Sequence, residues 1–161
     1  MANEVKNVDA GSSTTVISIA ANMANSYVAG ITTELDNSTA RYTRAMATVY
    51  VSAFNTTPTA NKGFELWMRR SNSPSTDTGG SSVTSTPSNP AAGFASTEGM
   101  EFAGYFPVAA TTSAQRISRE IAFSNVNKAY FVLRNMTDVQ ANAGAGTELT
   151  VTVRPFTEAP T

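Results

Sequence analysis

Residues 147–156 read Thr-Glu-Leu-Thr-Val-Thr-Val-Arg-Pro-Phe, and this stretch decides the fold class. Leu149, Val151 and Val153 alternate with Glu148, Thr150, Thr152 and Arg154. A two-residue period puts the apolar set on one face of an extended strand and the polar set on the other. Working outward, residues 44–54 (RAMATVYVSAF) set Ala45, Ala47, Val49, Val51 and Ala53 against Met46, Tyr50 and Phe54. Both of those faces are rather apolar, which predicts a central strand. Residues 63–70 (GFELWMRR) separate Phe64, Leu66 and Met68 from Glu65, Trp67 and Arg69, and residues 129–134 separate Phe131 and Leu133 from Tyr130, Val132 and Arg134.

Further strands are predicted over 14–20, with Val16 offset from Ile17 and Ile19, and over 27–35, broken at Gly30. Residues 100–109 form an aromatic strand whose Pro107 suggests an edge or a bulge. In residues 115–123, Ile117, Ile121 and Phe123 share a side with Arg119, while Arg116 points the other way. Asp36-Asn37-Ser38 is a turn signal, and the Ala/Gly/Asn-rich residues 138–146 read as a hairpin connection. No segment shows a three-turn amphipathic helical pattern, and no exact repeat points to a propeller or solenoid. The pattern predicts an all-β, antiparallel β-sandwich of jelly-roll type with about seven or eight strands.

Composition agrees. The chain of 161 residues is about one domain long. Only 14% of its residues are charged, low against the roughly 25% of an average soluble domain. Ser, Thr, Asn and Ala fill the gap, which suits hydroxyl-rich strand faces and turns better than the exposed side of a helical bundle. Residues 1–13 have little core-forming capacity and are read as an extended N-terminal segment, free to reach a neighbouring subunit. A single sandwich domain over 14–161 follows. Within it, residues 72–99 are dense in Ser, Thr, Pro and Gly and read as one long polar loop, an excursion from the core.

Absences narrow the chemistry. There is no Cys and no His. Disulfides, thiol chemistry, a His-based triad and the commonest metal ligands are therefore excluded. No metal and no cofactor are expected. Glu98 and Glu101 lie close in sequence, as a glycosidase pair might be sought, yet the expected reading is solvated surface and no enzyme. Asp77 and Asp9 begin turn-like runs that lack the alternating ligands of a calcium loop. The sequons at Asn37, Asn55 and Asn135 are expected as chance matches in a Ser/Thr-rich chain. A net charge of −1 gives no field that would gather nucleic acid. No apolar run reaches the roughly 20 residues of a membrane helix, and the first residues lack a signal-peptide layout. Synthesis and use in the cytoplasm without secretion are expected.

Two surface features stand out. Trp67, the one tryptophan, sits beside Arg69 and Arg70. It serves either as a stacking platform for a sugar or as a ring packed under arginine in a sheet. The cluster Phe102, Tyr105 and Phe106, with Phe94 and Met100, is core material or, next to a long polar loop, a protein interface.

Four segments carry a resemblance: GFELWMRRS (63–71) before a polar loop, YFPVAATTSAQRISR (105–119), KAYFVLRNMT (128–137) and GAGTELTVTVRPFTE (144–158). Together they resemble a group of small tailed-bacteriophage virion proteins, over roughly residues 42–158. In that group a strand like ELYLLRS precedes the loop and a strand like GNTLTLRPYTE ends the sheet. The loop here is longer than the group's and lacks its Asp-Gly-Thr-Asn-Tyr-like segment. The resemblance implies a capsid decoration (cement) protein on the virion surface. Its partners would be the major capsid protein and itself, as a homotrimer; the aromatic segment with Phe94, Met100, Phe102, Tyr105 and Phe106, beside the polar loop 72–99, is from its residues the expected contact. A tail or baseplate component and a carbohydrate-binding module of an adhesion protein are the alternatives. No active-site residues come with it.

Overall fold

The computed structural model describes residues 7–30, 34–71, 100–141 and 149–158. Ten β segments follow in order: β1 (Asn7–Ala10), β2 (Thr14–Ile19), β3 (Val28–Gly30), β4 (Leu35–Asp36), β5 (Arg44–Val51), β6 (Gly63–Ser71), β7 (Glu101–Pro107), β8 (Gln115–Ala122), β9 (Lys128–Met136) and β10 (Leu149–Glu158). The pairings are all antiparallel. In the first sheet β1 and β2 both flank β10, then come β5 and β8; in the second β3 and β4 both flank β9, then come β6 and β7. Counting each split strand once, the eight positions run 1-8-3-6 and 2-7-4-5. That is the connectivity of a jelly roll, two four-stranded sheets face to face.

Every connection but one crosses between the sheets. The exception joins β6 to β7, neighbours in the second sheet. The expected polar loop, residues 72–99, falls between these two strands in sequence and lies outside the described residues. The link from β9 to β10, expected as a hairpin, instead passes from the second sheet to the first. Polar turn composition marks where a strand ends; it does not say whether the chain returns beside that strand or across the sandwich.

The central role of β5 is as expected, since it lies between β10 and β8. Ala45, Ala47, Val49 and Val51 are fully buried, as are Leu149, Val151 and Val153 of β10. Phe64, Leu66, Met68, Phe106, Phe131 and Leu133 face them from the second sheet. Phe54 departs from the expected face. The strand ends at Val51, the alternation lapses over Ser52 and Ala53, and Phe54 turns inward to stack on Phe64 at 6.3 Å between centroids. Val16 is likewise buried together with Ile17. The β2–β10 register slips between Val151 and Thr152, so Val16 is an extra residue in a bulge, where strict alternation fails.

Part of the expected N-terminal segment belongs to the sheet: residues 7–10 pair with the end of β10. The break between β1 and β2 has a cause in β10. Pro155 offers no N–H, and only its carbonyl is used on this side, accepting from the Gly11 backbone at 2.8 Å. A Cβ on Gly11 would come within 3.0 Å of the Tyr42 ring and 3.2 Å of Pro155. Chain and proline therefore approach closely where the strand splits. At the far side Gly63 is needed for a similar reason, because a Cβ there would lie 2.2 Å from the Phe106 carbonyl oxygen.

Three polar residues are buried among the described ones: Asn37, Asn135 and Thr137. Each is satisfied. Asn135 Nδ2 donates to the carbonyls of Met23 (2.8 Å) and Val139 (2.9 Å), and its Oδ1 accepts from the backbone and the hydroxyl of Thr137. Asn37 ties the β4–β5 turn to Val126 in the β8–β9 connection. Two of the three sequon asparagines are thus structural clamps inside the protein, where no glycan fits. Asn55 alone is exposed.

Candidate functional site

The expected interface residues separate in the structure. Phe106 is fully buried within the core cluster, so it is not surface available to a partner. Tyr105, its neighbour, points outward, since adjacent strand residues take opposite faces. Its hydroxyl donates to the Asn61 carbonyl at 2.9 Å. Burial, and then the charge of Glu65, push its phenol above the ordinary range. Phe102 is 54% exposed, the most exposed large apolar side chain described. Spaced three apart, Phe102 and Tyr105 would fall on opposite faces of a regular strand. The β6–β7 register slips between Leu66 and Trp67, leaving Ala103 as the extra residue and bringing both rings to the outer face. Met100 is half-buried just before β7, and Phe94 lies outside the described residues.

Around Phe102 the second sheet presents a mixed aromatic and charged face. Trp67 meets Phe102 edge to face at 5.3 Å between centroids and 73° between planes, a favoured geometry for ring pairs. The partner ring of Trp67 is therefore Phe102, across the β6–β7 ladder. The indole Nε1 donates to Glu65 Oε2 at 3.3 Å, and that carboxylate lies 3.7 Å from Arg134 Nη1. On the other side of the same edge, where Met68 faces inward opposite Glu101, Arg70 bonds Glu101 at 2.6 Å and donates to the Ser124 carbonyl. Glu101, one member of the sequence-adjacent carboxylate pair, is an ion-pair partner on an exposed edge; Glu98 and Asp77 lie outside the described residues.

Along the same sheet Lys128 holds Glu34 at 2.5 Å. Burial alone would raise the Glu34 carboxyl, but hydrogen bonds from Lys128 and Tyr130, with the Lys128 charge, hold it below its ordinary range. Lys128 is raised in turn, chiefly by its bond to Glu34. Asp36 is lowered by hydrogen bonds from Ser38, and Asp138 by bonds from Thr59.

The outer face of the first sheet is different. Thr48 and Ser118, opposite in register, share a hydrogen bond of 2.8 Å. Arg44 pairs with Glu120 at 2.7 Å, and Arg116 lies over the Tyr50 ring at 5.3 Å. Arg119, on the inward side opposite Ala47, is exposed because β8 is an edge strand. An inward-pointing charge there discourages another chain from adding to the sheet.

A concavity lies between the β4–β5 and β8–β9 connections. It has a volume of about 370 Å³ and is lined by Asn37, Arg41, Tyr42, Thr43, Ser124, Asn125, Val126 and Asn127. The sequence expectations include none of these as a site, apart from the Asn37 sequon and turn. Their shared signal, scattered polar turn residues, is indistinguishable from ordinary turn chemistry until the two loops are brought together. Among the described residues no group of three or more carboxylates is placed to hold a metal, and no helix is long and apolar enough to cross a membrane. No protein-family model matches the chain, and no curated protein matches it.

Proposed function

We propose that this chain is a non-enzymatic structural protein of a bacteriophage virion, a decoration protein that binds the capsid surface as a homotrimer and bridges capsid subunits. The observation that carries this reading is the eight-position jelly roll, an architecture that recurs in viral shells. The resemblance of the strands over residues 42–158 points the same way. Function resides in sites and not in folds, so the reading also names a surface. Phe102, exposed beside Trp67 on the second sheet, supplies the apolar centre of the contact, and the Arg134–Glu65 pair on the same face supplies part of its polar rim. A lasting contact buries upwards of about 1,000 Å², so the two rings act as its anchor and not as its whole area.

The test is cosedimentation of the purified protein with purified heads and, separately, purified tails of the phage. Retention on heads, weakened by Phe102→Ser, is the expected result. Retention on tails alone would support the baseplate alternative, and retention on neither would overturn the virion reading. Mass measurement in solution and on the shell tests the trimer.

A further inference from the structure

The cleft between the two connections is more than a gap between turns. Its floor is clamped: Asn37, only 2% exposed, donates from Nδ2 to the carbonyls of Tyr42 (3.0 Å) and Val126 (2.8 Å) and accepts from the Tyr42 backbone at Oδ1 (2.8 Å). Backbone bonds join the loops on both sides, from Asn37 to Asn127 at 2.6 Å and from Phe123 to Thr43 at 2.9 Å. Site groups held this way need no reordering when a ligand arrives.

Two of the residues on its walls, Arg41 (φ 54°) and Asn125 (φ 58°), occupy the left-handed region. Asparagine tolerates that region; arginine suffers a steric penalty there that glycine would avoid. Arg41 closes its turn through a backbone bond to Asn37 at 3.0 Å, a task glycine performs at least as well. Strained backbone of this sort gathers at binding sites. What arginine adds is its guanidinium. Arg44 and Arg70 both pair with carboxylates, whereas Arg41 is exposed and has no ion pair among the described residues.

We propose that this cleft binds an acidic sugar, a pyranose unit carrying one carboxylate, as found in charged polysaccharides. The Arg41 fork matches a carboxylate with two parallel hydrogen bonds. Thr43, Ser124, Asn125 and Asn127 bring hydroxyl and amide groups that donate and accept, as ring hydroxyls require. Tyr42, packed against the core and beside Gly11, is part of the lining and holds that wall in place. One unpaired cation suits one negative charge. The volume lies at the small end of the roughly 300–1,000 Å³ typical of ligand sites, as a monosaccharide unit needs. This site goes beyond the structural role and does not rest on it. It is assayed on the isolated chain, so its failure and that of the virion reading are seen in different experiments.

The test is an amide chemical-shift titration of the labelled protein with D-glucuronate and D-galacturonate, with glucose, acetate and inorganic phosphate as separate arms. At least one uronate should shift the amides of residues 37–43 and 123–127 saturably, at concentrations up to about 10 mM. Glucose and acetate should bind at least tenfold more weakly. Arg41→Gly should melt at the same temperature or higher while losing at least tenfold in affinity; Arg41→Lys should recover part of it. Asn127→Asp, which places a second carboxylate against the ligand, should also abolish binding and serves if Arg41→Gly folds poorly. No saturable shift with either uronate, equal binding by Arg41→Gly, or phosphate binding as tightly as the uronates would overturn the proposal.

Discussion

The two sheets of the sandwich divide the labour differently on each of their faces. Inside, the middle of the first sheet contributes short side chains, with Ala45, Ala47, Val49 and Val51 on β5 and Val151 and Val153 on β10, while Ile17, Ile19, Ile121 and Leu149 are its larger members. The second contributes long ones, including Phe64, Leu66, Met68, Phe106 and Phe131. Large residues on one layer against small ones on the other let the layers interdigitate at native density. Outside, the first sheet carries paired hydroxyls, a closed ion pair and the partly exposed Met46, while the second carries a more exposed aromatic pair with charged neighbours. One layer is built to be wet. The other retains apolar surface that a partner can use.

The sharpest way to break the inner half of that comparison is to empty the large side. Phe131→Ala should cost about 3–5 kcal/mol in denaturant unfolding, the range for deleting a buried aromatic side chain. A loss under about 1 kcal/mol would mean that the first sheet can collapse into the space. Filling the small side is the converse experiment. Ala47→Leu should destabilise by about 1–3 kcal/mol through overpacking against the second sheet, and a neutral outcome would show unfilled space between the layers.

On the outer faces the effects shrink. The acid-sensitive groups sit mainly along the second sheet and its turns. Glu34, Asp36 and Asp138 are all held below their ordinary values. Each therefore contributes stability that is complete above its unfolded-state pKa and is lost as pH falls through its lowered folded value. Lys128 is raised, so its contribution holds at neutral pH and is lost as pH climbs through its folded value. Stability should be level from about pH 6 to 9 and decline below about pH 4. Glu34→Gln should flatten the acid limb, and an unchanged limb would show that the Lys128 pair contributes nothing. Thr48→Ala, in the hydroxyl pair of the first sheet, should cost about 0.2–1 kcal/mol. Phe102→Ser should change stability least, within about 0.5 kcal/mol as exposed sites do. It should nonetheless reduce assembly or shell binding, and unaltered binding would remove the aromatic pair from the proposed contact.

Much of this architecture was legible residue by residue. The strict alternation at Leu149, Val151 and Val153, the two faces of β6, the central position of β5 and the edge placement of Pro107 all follow from period and turn chemistry, which are local properties. The misreadings share a physical origin. Val16 and Phe54 both lie where a bulge or a lapse in pairing shifts the parity of the strand, and the same device brings Phe102 and Tyr105 to one face. A bulge is defined by the partner strand, here β10 or β6, and the partner is not visible in the segment itself. For the same reason Phe106 could be read as interface material, although its neighbour Tyr105 is the ring that faces outward.

By itself, then, the sequence determined an all-β chain without His or Cys, its strand segments, the polarity of their faces and the long polar stretch inside one link. Those properties depend on each residue's own chemistry and on its near neighbours in the chain. Only the tertiary structure decided which strands pair, that the β9–β10 link crosses the sandwich, that two sequon asparagines are buried clamps, and that Arg41 faces Asn125 and Asn127 across a cleft. These depend on contacts between residues far apart in the chain, such as Met23 and Asn135, 112 positions apart. Burial and hydrogen bonding select such contacts from the whole chain at once, and no local pattern encodes them.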